Sequence, residues 1–141
     1  MKIIEQEEVR KLLQPKDCIQ LMAEALKGLE SGEYAQPARL ITVMPNTAKF
    51  GFMPAYVGDY FGAKVISAFA PNMGTKYPSH IGYVMLFESA HSTVAGMIEA
   101  GSITEIRTGA VSAAATDLLA RKDSHKLALI GAGAQARSHL A

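Results

Sequence analysis

Lys126-Leu-Ala-Leu-Ile130 runs straight into Gly131-Ala-Gly133-Ala134-Gln135-Ala136, and this junction constrains the chain more than any other stretch. An apolar run feeding a Gly-x-Gly-x-x-Ala turn is a common opening of a dinucleotide-binding βαβ unit. The run predicts a strand over 126–130 that delivers the turn. Glycines let backbone N–H groups approach a pyrophosphate, and the helix that follows aims its positive end at the anion. Only Arg137-Ser-His-Leu-Ala141 follow the turn in this sequence. The cofactor site is therefore expected to need residues beyond Ala141.

The remainder must form something else. A length of 141 residues suits one domain, or one domain and a piece of a second. Apolar residues make up 49% of the chain, enough for a substantial core. A net charge of +1 gives no field for nucleic acid. No stretch approaches the roughly 20 apolar residues needed to span a bilayer. Lys2-Ile-Ile-Glu-Gln-Glu-Glu8 lacks the apolar core of a secretory leader. Cys18 is the single cysteine, so no internal disulfide forms, and its place beside an apolar helical stripe suits a small core filler. A reduced, cytoplasmic setting is the expectation.

Periodicity places the elements. Glu5 to Leu13 reads as a short helix, and Pro15 restarts the chain with Asp17 in the first turn. Ile19, Met22, Ala23, Leu26 and Leu29 then recur at helical spacing, and Gly32 is the expected stop. Five runs rich in β-formers follow: 39–44, 50–57, 61–69, 81–87 and 93–98. Glu88-Ser-Ala-His-Ser92 joins the last two as a hairpin. A longer connection, 71–79, has the length at which loops often carry function. Gly101-Ser102 opens a helix reaching about Leu119, and the Ser102–Glu105 spacing predicts a capping box. The grouping predicts an α+β layer with a mixed, largely antiparallel sheet, followed by the first βα element of a Rossmann domain. The expected boundary puts 1–124 in the first domain and 125–141 in the second.

Arg39, Lys64 and Arg107 stand out for their neighbours. Arg39 shares a strand face with Ile41 and Val43, and Lys64 with Ile66 and Ala68. Arg107 has Ile103, Thr104, Ala110 and Val111 at helical spacing and no acid among them. A buried cation needs an anion. Each alone is explained as readily by snorkelling to water. Together, near a cofactor turn, they suggest a carboxylate clamp, for which arginine's planar fork is suited. Arg107 and Thr108 are alternatively placed to meet a cofactor phosphate. Ser79-His80 stands at the mouth of a strand. His80 has acid–base chemistry, although a lone histidine is more often structural. His91 and His125 lie in polar connectors, and no spacing matches a zinc site.

As a set, Pro37-Ala-Arg39, Met53-Pro-Ala-Tyr56, Gly62-Ala-Lys-Val-Ile-Ser67, Pro78-Ser-His80, Ile103-Thr-Glu-Ile-Arg-Thr108 and Leu129-Ile-Gly-Ala-Gly-Ala-Gln-Ala-Arg137 resemble the N-terminal part of the ornithine cyclodeaminase and mu-crystallin family. The resemblance implies a two-domain, NAD- or NADP-dependent oxidoreductase or deaminase of small amino or imino acids, alanine-dehydrogenase-like or ketimine-reductase-like. It implies a homodimer formed through the sheet of the first domain. Its substrate-binding cations fall on Arg39, Lys64 and Arg107. Its cofactor contacts fall on Ser79, Arg107, Thr108, Gly131, Gly133, Ala134 and Gln135. The family's catalytic aspartate would lie beyond Ala141, so no catalytic residue is assigned, and no metal is implied. Members that cyclise ornithine carry a glutamate shortly before the Met-Pro pair. Gly51-Phe52 occupies that place in this chain, so ornithine specificity does not carry over. Ornithine cyclodeamination and a non-catalytic, crystallin-like binding role remain the alternatives.

Overall fold

The computed structural model describes residues 1–140. Among them, β1 (Lys2–Ile4), β2 (Leu40–Val43), β3 (Lys49–Val57), β4 (Tyr60–Ala68), β5 (His80–Glu88) and β6 (Val94–Glu99) form one sheet. Its order is β1-β6-β5-β4-β3-β2. Every pairing is antiparallel except β1 with β6. The helices are α1 (Gln6–Leu12), α2 (Pro15–Ser31), α3 (Ala100–Leu119) and α4 (Ala134–Ser138). The expected α+β layer and its mixed, mostly antiparallel sheet are therefore present.

The register fixes which side chains share a face. Met53 pairs with Lys64, Lys64 with Val84, and Val84 with Ile98. Arg39 precedes β2 by one residue, and the Leu40–Phe52 pair puts it level with Met53. Arg39, Met53, Lys64, Val84 and Ile98 thus form one row across the sheet, on the side where α2 and α3 lie. The next residues along each strand point the other way. That second face carries Phe50, Phe52 and Tyr56, all more than 40% exposed, and the stacked rings of Phe61 and Phe87, 5.3 Å apart.

Small residues set the helix packing. Ala110 and Ala114 of α3 are buried, which lets α3 lie close against its neighbours. Cys18 on α2 is fully buried as the expected small filler, and burial pushes its thiol pKa up while nearby Arg107 opposes the shift. α2 ends as anticipated, with Gly32 at φ +79 in the left-handed region that closes a helix. Gly28 gives the ring of Tyr34 a seat on α2, since any Cβ there would run into that ring. The β5–β6 hairpin is held by Glu88, whose carboxylate accepts from the backbone N–H groups of His91 and Thr93 and from the Thr93 hydroxyl. Those donors hold the Glu88 carboxyl below its ordinary range.

Four features differ from what the sequence patterns predict. β1 is a strand that no pattern announced: three residues join β6 in parallel, 94 positions away in the chain. The capping box is not formed. Glu99 caps α3 instead, accepting from the N–H groups of Gly101 and Ser102. It sits one turn earlier and takes the Ser102 N–H that the box would give to Glu105, so the Ser102 hydroxyl is buried without a hydrogen-bond partner and Glu105 binds Arg10 at 2.6 Å. The strand expected over 126–130 is absent, and Ile130 is fully exposed. A strand needs a neighbour for its backbone groups, and none of the described residues supplies one. The opening βα element of a Rossmann domain is accordingly represented only by the glycine turn and α4. Finally, Arg39 lies just outside β2 rather than within it.

Candidate functional site

Arg39, Lys64 and Arg107 meet at one cavity. It occupies about 770 Å³ between the α2–α3 side of the sheet and the two helices. β3 and β4 provide its floor, α2 one wall through Met22, Leu26 and Leu29, and α3 the other through Ile103, Thr104 and Arg107. The α2–β2 connection brings Tyr34, Gln36 and Arg39 to the rim. Three residues distant in sequence therefore reach a common space because one sheet row and one helix turn face each other.

Lys64 is half-buried, and its ammonium donates to Thr104 Oγ1 at 2.8 Å. Thr104 in turn donates to the Ala100 carbonyl at 2.6 Å, so its lone pairs face the lysine. Burial, and then the Arg107 guanidinium, push the Lys64 pKa below its ordinary value. Both causes disfavour the charged form. Among the described residues, no carboxylate lies within 4 Å of Arg39, Lys64 or Arg107. Convergence is thus as expected, and so is the lack of an internal counter-charge. The shielding is not: Arg39 and Arg107 are exposed, because the cavity opens to solvent along the side they occupy.

Thr104 was visible in the sequence only as a helical neighbour of Arg107. Its spacing of three residues put both on one face of α3, the signal by which it could have been assigned. Tyr34 and Gln36 gave no signal, since their positions depend on the path of a connection.

The other anticipated residues lie outside this cavity. Ser79 stands at the entry to β5, its hydroxyl 3.1 Å from His80 Nδ1, and its carbonyl accepts from Phe69. His80, His91 and His125 are exposed. Thr108 donates to the Thr104 carbonyl at 2.6 Å and lies beside Arg107 on α3. Gly131 adopts φ +106, and neither Gly131 nor Gly133 has a neighbour where a Cβ would project. Ala134 and Gln135 open α4. α4 rests on a different face of α3: a side chain at Gly109 would meet the Ser138 backbone, and His139 Nε2 lies 2.8 Å from Ser112 Oγ. α3 therefore separates the cationic cavity from the segment bearing the glycine turn.

A concave apolar space with a few converging charges is the usual form of a small-molecule site, here suited to an organic anion. Comparison with known proteins gives this layer its place. The sequence matches the ornithine cyclodeaminase/mu-crystallin family over residues 1–141. It is 36% identical over 121 residues to the ketimine reductase mu-crystallin of Mus musculus, covering 84% of this chain and 38% of that protein. The Δ1-pyrroline-2-carboxylate reductase of Thermococcus litoralis, solved with NADH and L-proline, superposes with a TM-score of 0.91 at 32% identity, covering 99% of this chain and 44% of that one. An archaeal alanine dehydrogenase dimer with bound NAD superposes with a TM-score of 0.93 at 27% identity, covering 98% and 43%. The chain belongs to the ornithine cyclodeaminase/mu-crystallin family. It spans about two fifths of the length of these relatives.

Proposed function

We propose that the protein carrying this chain is a nicotinamide-dependent oxidoreductase of a small α-amino or α-imino acid. Residues 1–124 act as the substrate-holding layer, and 125–141 open the cofactor domain. The observation that carries this reading is the trio of cations with no internal carboxylate around one apolar cavity. Relatives named as ketimine reductase, pyrroline-carboxylate reductase and alanine dehydrogenase support it, since all act on acids of this kind.

Arg39, Lys64 and Arg107 hold the substrate carboxylate, and Thr104 keeps the Lys64 ammonium aimed at it. Orientation is the contribution of these residues: a fixed carboxylate presents the adjacent carbon in one pose. NAD or NADP supplies or accepts the hydride when bound. The bare backbone at Gly131 and Gly133 fits close approach of its pyrophosphate, and Ala134 and Gln135 continue that contact. Arg107, Thr108 and Ser79 are assigned to the cofactor side of the cavity. The exposed apolar sheet face, with Phe50, Phe52 and Tyr56, is assigned to a second copy in a homodimer. Among the described residues, no helix is long and apolar enough to cross a membrane.

The test is a steady-state assay of the whole protein with NADH or NADPH and cyclic ketimines, and with NAD or NADP and alanine. Turnover of at least one acid is expected. Tight cofactor binding with no turnover of any would replace this reading with a binding role.

A further inference from the structure

One hydroxyl in the cavity has its direction fixed from behind. A threonine in a helix divides between two χ1 rotamers, and a bond from its hydroxyl to the carbonyl one turn back selects one of them. Thr104 makes that bond to the Ala100 carbonyl at 2.6 Å. Its hydroxyl hydrogen is thereby used, so Oγ1 acts only as an acceptor toward the cavity. Lys64 Nζ stands there and donates to it at 2.8 Å. Ala100 opens α3 directly after β6, so this acceptor is anchored where helix joins sheet. Lys64 itself has reasons to leave. The charged groups facing it are Arg39 from the α2–β2 connection and Arg107 from α3, and both repel an ammonium. The other titratable groups of the lining are the phenols of Tyr34 and Tyr60. A lysine stem is flexible and can carry its charge out to water.

We infer that Thr104 is a positioning residue for Lys64: its locked hydroxyl holds the ammonium in the cavity while no acid is bound, and so sets how well Lys64 grips a carboxylate that arrives. This rests on the proposed oxidoreductase reading and deepens it, since the acid meets Lys64 while Thr104 acts through Lys64. With one N–H committed to Oγ1, the other two take fixed directions about the Cε–Nζ bond. A carboxylate then finds donors already in place and less ordering remains to be done. The same bond favours the charged form of Lys64 against burial and Arg107, which both push its pKa down.

The experiment uses the whole protein and the acid it turns over. Thr104→Val keeps the branched shape and removes the acceptor, whereas Thr104→Ser keeps the acceptor. Val is expected to raise KM for the acid about tenfold with the cofactor KM unchanged, and Ser to stay within about twofold of the parent. In a Lys64→Met background Thr104→Val is expected to add nothing, because both changes break one interaction. Additive losses, or equal losses in Val and Ser, overturn the inference and leave Thr104 a part of the helix frame. The titration of Lys64, followed by NMR of its labelled side-chain nitrogen, needs no substrate. Its midpoint is expected to fall in Val and to hold in Ser, and a midpoint that Val leaves unmoved also overturns the inference. A midpoint that falls in Val, in a protein whose parent form turns over no acid, upholds the Thr104–Lys64 coupling and defeats the oxidoreductase reading instead.

Discussion

Two apolar runs of this chain meet different fates. Ile81 to Phe87 lies inside β5, paired to β4 on one side and β6 on the other. Leu127 to Ile130 is as rich in apolar side chains, yet it stands outside any sheet with Ile130 fully exposed. Composition gives both the same leaning. Pairing separates them, because an extended backbone is stable only where its N–H and C=O groups find partners. Residues 1–120 pair all six strands with one another, and so form a layer with a cavity on one face. The segment from 121 carries the glycine turn, and among the described residues no strand pairs with it.

Hydrogen exchange on residues 1–141 tests that contrast most severely. Amides of β4 and β5 are expected to exchange orders of magnitude more slowly than those of 127–130. Equal protection in both runs would break the comparison. Paired substitutions in the whole protein sharpen it. Lys64→Met is expected to weaken acid binding by about ten- to a hundredfold, the worth of a hydrogen bond to a charged group, while leaving cofactor affinity unchanged. Gly131→Val should do the reverse, since its φ of +106 is closed to a branched side chain. If both variants lost the same ligand, the two regions would not divide the work as proposed.

Smaller effects probe the completed layer. Gly28→Ala should cost about 1–3 kcal/mol in urea unfolding, because the Tyr34 ring must leave its seat. Glu99→Ala should cost about 1 kcal/mol through the lost cap of α3, measured in the same way. The subtlest effect is in pH. With its pKa lowered, Lys64 is protonated and able to hold a carboxylate only below that shifted value, so KM should begin to rise at a pH below the ordinary lysine value of 10.5. Stability runs oppositely. Between the shifted pKa and 10.5 the unfolded chain binds more protons than the fold, so Lys64 makes unfolding harder as pH rises through that window. Lys64→Met should abolish both trends.

Legibility in the sequence followed the range of the forces involved. β3, β4 and β5 were readable because their apolar runs and turns are local. α2 was readable from helical spacing and a terminal glycine. β1 was not, since its only reason to be a strand is β6, 94 residues away. The α3 cap was not readable because two acids, Glu99 and Glu105, compete for the same N–H groups, and only geometry decides which is nearer. The three cations were legible as a set because each sits among apolar neighbours without an acid. Their exposure was not, because it depends on where the cavity opens.

β6 ends at Glu99 and α3 begins at Ala100, with no residue between them. A strand passing directly into a helix leaves no slack to act as a hinge. The backbone at this junction therefore supplies no loop by which α3, with Arg107, could swing away from the sheet that bears Lys64. Any displacement of α3 at this end must be taken up by the β6 backbone itself, which its pairing with β5 and β1 resists.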